Sequence, residues 1–120
     1  MTKFLLLCTI AYHSLMHGFD PCVVYAQAMV ESSLRPSAVN GNCKGLLQVD
    51  IRIWGKALNI DERRILEPSY NLDIALDILR HYYQRTGCVW TALHWYNNGP
   101  SGKHNNRNYV KKIKKILEGK

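Results

Sequence analysis

ESSLRPSAVNGNCKGLLQVD, residues 31–50, holds the sharpest change of local code in the chain. Just upstream, "AQAMV" (26–30) sets small and apolar side chains at helical spacing, so the stretch opens inside a helix. Pro36 ends that helix, because its ring pushes the preceding residue out of the α region. "SAVNGNCKG" (37–45) is turn chemistry, and Asn40-Gly41 is a strong hairpin signal. A short, irregular β excursion over about 38–50 is expected, as the one sheet of the protein. "IRIWGKAL" (51–58) then reads as a short helix closed near Gly55, with Asp50 immediately before it.

On the N-terminal side, "GFDP" (18–21) marks a boundary. Asp20 can cap and Pro21 can take the first turn of a helix running to about Leu34. Val24 and Ala28, with Val23, Ala26 and Val30, are expected to face the core. The first 18 residues, MTKFLLLCTIAYHSLMHG, resemble a signal peptide in having Lys3 before an apolar run from Phe4 to Tyr12. That run is too short to span a bilayer, and no clear cleavage site follows it. The competing reading is a helix with Phe4, Leu7, Cys8, Ala11, Leu15 and Met16 on one stripe.

On the C-terminal side, Leu72, Ala75, Leu76, Leu79 and Tyr82 keep helical spacing in a segment from about Pro68 to Arg85, which Gly87 stops. Another helix is expected over Val89 to Tyr96, broken by "NNGPSG". A last one covers about Asn106 to Leu117, with Tyr109, Val110, Ile113, Ile116 and Leu117 inward and its lysines outward. About six helices with one short β-hairpin region define a mainly α (α+β) class, and 120 residues fit a single domain over 1–120.

Hydrophobic residues make up 47% of the chain, which argues against disorder. A formal charge of +7 suits a polyanionic partner such as nucleic acid, anionic lipid or cell-wall polymer, or simply a solvated face. The lysines of "VKKIKK" (110–115) are not interleaved with aromatics and no nucleic-acid motif stands there, so no nucleic-acid partner is expected. Cys8, Cys22, Cys43 and Cys88 form no zinc spacing, and their pairing is left open. His94 and His104, ten positions apart across a Gly/Pro loop without nearby acids, do not read as ligands. No metal and no cofactor are expected.

Glu31 is the first candidate for chemistry. It lies near the end of an otherwise apolar helix, where desolvation raises a carboxyl pKa and keeps the proton that a general acid needs. The bland alternative is a surface ion pair with Arg35 at i+4.

Glu31-Ser32, Gly45-Leu46-Leu47-Gln48, Asn71 and Tyr96-Asn97-Asn98-Gly99, following "GFDP" in this order, resemble the soluble lytic transglycosylase and goose-type lysozyme group. The resemblance covers about residues 18–117 and implies a compact lysozyme-like fold in which the segment before "GFDP" is the first helix. It also implies cleavage of the β-1,4 bond between N-acetylmuramic acid and N-acetylglucosamine in peptidoglycan. Glu31 would be the general acid/base. Tyr96 would set its phenol near that carboxyl and its ring against a sugar. Gln48 would bind an acetamido or hydroxyl group, Asn97 a substrate amide, and Ser33 the sugar. Each has a structural alternative: Gln48 bracing the hairpin, Tyr96 in the core, Asn97 as a helix C-cap, and Ser33 packing or capping, the commoner role of such a serine.

Asp50 separates two outcomes. In a lytic transglycosylase, Glu31 alone protonates the leaving oxygen and then accepts the C6 hydroxyl proton, closing a 1,6-anhydro ring. In a goose-type lysozyme a carboxylate at Asp50 would orient water for hydrolysis. Asp50 can instead cap the following helix, and "NGNCK" lacks the second hairpin acid of goose-type enzymes, so transglycosylation is the preferred reading. A non-catalytic wall-binding or virion structural module is the third. The expected partner is the peptidoglycan glycan strand, for a monomer acting at the bacterial cell wall. The setting is periplasmic, extracellular or phage-associated, in a phage virion or a cell-envelope secretion machinery.

Overall fold

The structure is a computed structural model, and it describes residues 1–100 and 108–119. Six helices and one small sheet are seen among these residues: α1 (Lys3–Met16), α2 (Pro21–Ser32), β1 (Val39–Asn40), β2 (Cys43–Lys44), β3 (Val49–Asp50), α3 (Ile51–Trp54), α4 (Pro68–Thr86), α5 (Val89–Asn98) and α6 (Asn108–Leu117). The expectation of a mainly α domain with one small β region holds.

The β excursion is one strand richer than a hairpin. An antiparallel sheet runs β1-β2-β3, with Asn40 opposite Cys43 and Cys43 opposite Asp50. The tight loop is therefore Gly41-Asn42, and Gly41 takes the left-handed φ of 61° that the turn demands.

The "GFDP" turn forms as its residue types dictate. Gly18 adopts φ 80°, Phe19 is buried, the Asp20 carboxylate accepts from Cys22 N at 2.8 Å, and Pro21 opens α2. Val24, Ala26 and Ala28 are buried, with Val23 and Val30 packed beside them. α2 stops at Ser32, two residues before the expected Leu34, because Ser33 and Leu34 both adopt left-handed backbone (φ 54° and 60°). α4 buries the five anticipated positions and ends at Gly87 with φ 70°. α6 buries Tyr109 and Ile113 with Val110 and Ile116 alongside, but Leu117 is exposed at the helix end. The expected start of that helix at Asn106 lies outside the described residues.

α1 is a helix, but it presents another face. Leu6, Ile10, His13 and Ser14 are buried, while Phe4, Leu15 and Met16 are each about two-thirds exposed or more and Cys8 is exposed. Apolar side chains occur on nearly every side of this segment, so their spacing alone does not choose the inner face. Polar partners choose it: His13 Nδ1 lies 2.7 Å and His17 Nε2 3.0 Å from Asp73 Oδ1 on α4. Burial acts to raise the Asp73 carboxyl, but the two histidine hydrogen bonds outweigh it and hold it below the usual range. None of the helices among the described residues is long and apolar enough to cross a membrane. The four cysteines are unpaired.

Candidate active site

A cleft of about 270 Å³ opens between the sheet and the α4–α5 pair. Glu31, Gln48, Asp50, Tyr96 and Asn97 all line it. Residues from three separate segments therefore meet, and five of the six side chains singled out in the sequence share one cleft. Ser33 does not. It is exposed in the left-handed cap of α2 and lines a different pocket, with Met29, Leu34 and the chain's first residues.

Glu31 sits in the last turn of α2. Arg35 is not its partner, because the Arg35 Nε donates to the Ser32 carbonyl at 3.1 Å. The partner is Tyr109 of α6, whose hydroxyl donates to Glu31 Oε2 at 2.8 Å. Desolvation drives the Glu31 pKa up to about 8, against the lowering effect of that hydrogen bond. The acid is thus protonated at neutral pH. Burial, with Glu31 close by, also pushes the Tyr96 and Tyr109 phenols well above 10, so both stay neutral donors.

The phenol next to the acid was assigned to Tyr96 in the sequence, but the hydroxyl that bonds Glu31 belongs to Tyr109. Tyr96 donates to the Leu47 carbonyl at 2.7 Å, tying α5 to the β region. One signal for Tyr109 is in the sequence: a tyrosine on the buried stripe of a short helix must find an acceptor for its hydroxyl. Gln27, one turn before Glu31, is fully buried near the Tyr109 phenol, and neither of its amide atoms reaches a bonding partner among the described residues.

Gln48 is held in a left-handed conformation (φ 50°) by its own amide. Its Nε2 donates to the carbonyls of Ala38 (3.1 Å) and Gly45 (2.9 Å), and its Oε1 accepts from Asn40 at 2.9 Å. Both amide hydrogens are spent inside the β region. Asn71 plays the matching part from α4, accepting from Leu47 N at 2.8 Å and donating to Lys44 O and Ile65 O at 2.9 and 3.0 Å. Gly45 makes room for that amide: a Cβ there would meet the Asn71 side chain and stand 2.8 Å from Ile65 O, and its φ of 88° suits glycine. The Leu47 peptide is thus gripped at both ends, by Asn71 and Tyr96.

Asp50 caps α3, accepting from Arg52 N at 3.0 Å, and its other oxygen lies 3.8 Å from Arg52 Nη2. Asn97 is exposed on the cleft in the last turn of α5, and the cap of that helix is Gly99, not Asn97. Two tryptophans join the site that sequence spacing did not single out. Trp54 and Trp95 flank Tyr82 edge-on, with centroids 6.0 and 5.8 Å away, and all three rings line the cleft. Cys43 lines it too, its thiol pushed up by burial and by the neighbouring Asp50 and Glu31 carboxyls. Of the two histidines weighed earlier, His94 approaches Asn98 at 3.3 Å, and His104 lies outside the described residues.

A half-buried carboxyl with a raised pKa thus faces a groove beside a small sheet, inside a mainly α domain. Residues 9–118 match the family model of the Transglycosylase SLT domain, and the chain belongs to this peptidoglycan-acting lytic transglycosylase family. The match takes in most of α1. A peptidoglycan-binding-like protein of Escherichia coli is 32% identical over 99 residues, covering 70% of this chain and 63% of the relative. Invasion protein IagB of Salmonella typhi is 29% identical over 110 residues, covering 82% and 68%. The chain thus spans about two thirds of the length of these relatives. No solved structure matches the chain.

Proposed function

We propose that this protein is a peptidoglycan lytic transglycosylase that cleaves the β-1,4 bond after N-acetylmuramic acid and leaves a 1,6-anhydromuramoyl end. The observation that carries this reading is Glu31: an acid protonated at neutral pH, open to a groove, with a hydroxyl donor at 2.8 Å.

The chemistry needs one such group. Glu31 gives its proton to the bridging oxygen as the C1–O bond breaks, which relieves the leaving group of negative charge. The carboxylate so formed sits where burial disfavours charge, and the Tyr109 hydroxyl is the donor that stabilises it for that interval. It then takes the proton of the C6 hydroxyl as that oxygen attacks C1, closing the anhydro ring and restoring the acid. No water is consumed. Trp54 and Trp95, both half-buried at the cleft, offer aromatic surface for sugar rings, and Asn97 an exposed amide for an acetamido group. Gln48, with both hydrogens engaged, shapes the cleft wall and offers only a lone pair of Oε1 to substrate.

Asp50 supports the second reading, hydrolysis, because it lines the same cleft as Glu31. Its engagement as the α3 cap and beside Arg52 favours transglycosylation instead. Zymography tests the assignment of the acid. Glu31→Gln is expected to fold and to leave embedded peptidoglycan uncleared, and clearing by that variant would remove Glu31 from the role.

A further inference from the structure

A second cluster of ligand-type side chains stands on a different face of α4 from the one that meets the cleft. His13 and His17 are one turn apart on α1, and Asp73 and Asp77 are one turn apart on the α4 that packs against it. His13 Nδ1 lies 2.7 Å and His17 Nε2 3.0 Å from the same oxygen, Asp73 Oδ1. The other nitrogen of His17, Nδ1, lies 3.4 Å from Asp77 Oδ1. One ligand atom from each of His13, His17 and Asp73 falls within 4.8 Å of the others.

From this geometry we infer a binding site for a zinc-like divalent cation between α1 and α4, with His13, His17 and Asp73 as ligands. Two imidazoles and one carboxylate are a borderline nitrogen-rich donor set, which suits zinc, cobalt or nickel and not magnesium or calcium. Three protein ligands leave a fourth tetrahedral position for water. Asp77 completes the logic. Its Oδ1 lies 3.4 Å from His17 Nδ1, where a carboxylate behind a metal-bound histidine would accept from Nδ1–H once a cation displaces the proton that Nε2 shares with Asp73. Tetrahedral ligands ~2.0–2.1 Å from a cation stand about 3.3 Å apart, so the observed contacts must open by a few tenths of an ångström. His13 is buried and His17 nearly so, which preorganises two ligands, while the exposed side of Asp73 provides the entry path. The nearby cation Arg80 is committed to the His17 carbonyl at 2.8 Å. Bound metal would fasten α1, whose other exposed faces carry Phe4, Leu15 and Met16 without packing, to the helix that forms the cleft wall.

The test uses the metal alone on the whole chain. Metal-stripped protein is titrated with zinc while its Tm is followed, and with cobalt while its visible spectrum is followed. One equivalent of tetrahedral cobalt is expected to give d–d bands without the strong near-ultraviolet band of thiolate ligation. Zinc is expected to raise Tm in proportion to the logarithm of its concentration. His17→Gln and Asp73→Asn should lose both signals, Asp77→Asn should bind roughly 10–100-fold more weakly, and His94→Gln should bind like the parent. No Tm shift with no cobalt bands overturns the inference. So does a shift retained in His17→Gln, or a thiolate band showing that the cysteines hold the metal.

Discussion

Tyr109 and Glu31 are 78 positions apart, yet the tyrosine hydroxyl donates to the glutamate's Oε2 at 2.8 Å. This contact joins α6 to the end of α2 and places a neutral donor against the one acid whose pKa is driven to about 8. Burial and the hydrogen bond act in opposite directions on Glu31, and burial wins.

Removing the weaker influence should therefore move the pKa further. Tyr109→Phe keeps the ring and deletes the donor, so the Glu31 pKa rises. The alkaline limb of the pH–rate profile should shift to higher pH, while the rate at its optimum falls roughly 10–100-fold, the worth of a hydrogen bond to a charged group. A profile whose alkaline limb stays in place would show that Tyr109 does not tune Glu31.

The same acid links stability to pH. Folded Glu31 holds its proton up to about pH 8, whereas its ordinary value is 4.5. Between those values the native state binds a proton that the unfolded chain has released. Stability from this group is complete below the lower value and is lost as pH rises through the upper one. At about 1.4 kcal/mol per unit the loss amounts to several kcal/mol at most. Urea unfolding of the parent and of Glu31→Gln across this window should show the parent falling more steeply, with the variant the more stable of the two above about pH 8. Parallel curves would mean that Glu31 titrates near its ordinary value.

Asn71 is expected to hold the β region in place. Its fully buried amide meets Leu47 N, Lys44 O and Ile65 O, so Asn71→Ala leaves three backbone groups without their partner. A loss of about 3 kcal/mol or more is expected in chemical denaturation. Gly45→Ala should lose a similar amount by driving a methyl group into the same amide at a left-handed backbone position. Two variants near parental stability would contradict the bracing role.

The lysines of α6 (Lys111, Lys112, Lys114 and Lys115) are exposed and sit in a chain of net charge +7. Attraction to the anionic wall through them should weaken with salt, as the screening length shrinks from about 10 Å at 0.1 M to about 3 Å at 1 M. Sedimentation of the Glu31→Gln variant with purified wall at rising salt measures this. Binding that is indifferent to salt would exclude charge steering.

Much of this fold was legible because residue type and geometry coincide locally. Asp20-Pro21 opens α2, Gly87 closes α4, and the apolar spacing of Leu72 to Tyr82 selects one face. α1 was misread because spacing cannot choose among several apolar faces, and the choice fell to a polar contact with Asp73, 60 positions away from His13. The site was legible to the extent that chemistry resides in residue type. Glu31, Asp50, Gln48, Tyr96 and Asn97 do share a cleft. Which tyrosine bonds the acid was not, since both lie on helices with inward apolar faces and only the packing of α6 on α2 decides where each hydroxyl lands. Ser33 was lost to a backbone detail, the left-handed end of α2, which turns the chain away from the cleft lining.

Mass analysis of the muropeptides released from purified peptidoglycan tests the central claim most directly. The account predicts glycan ends lighter by one water than the hydrolysed form, carrying the anhydro ring, produced by the parent and absent with Glu31→Gln. Reducing ends in their place would contradict it, and would hand the decisive role to water and to Asp50.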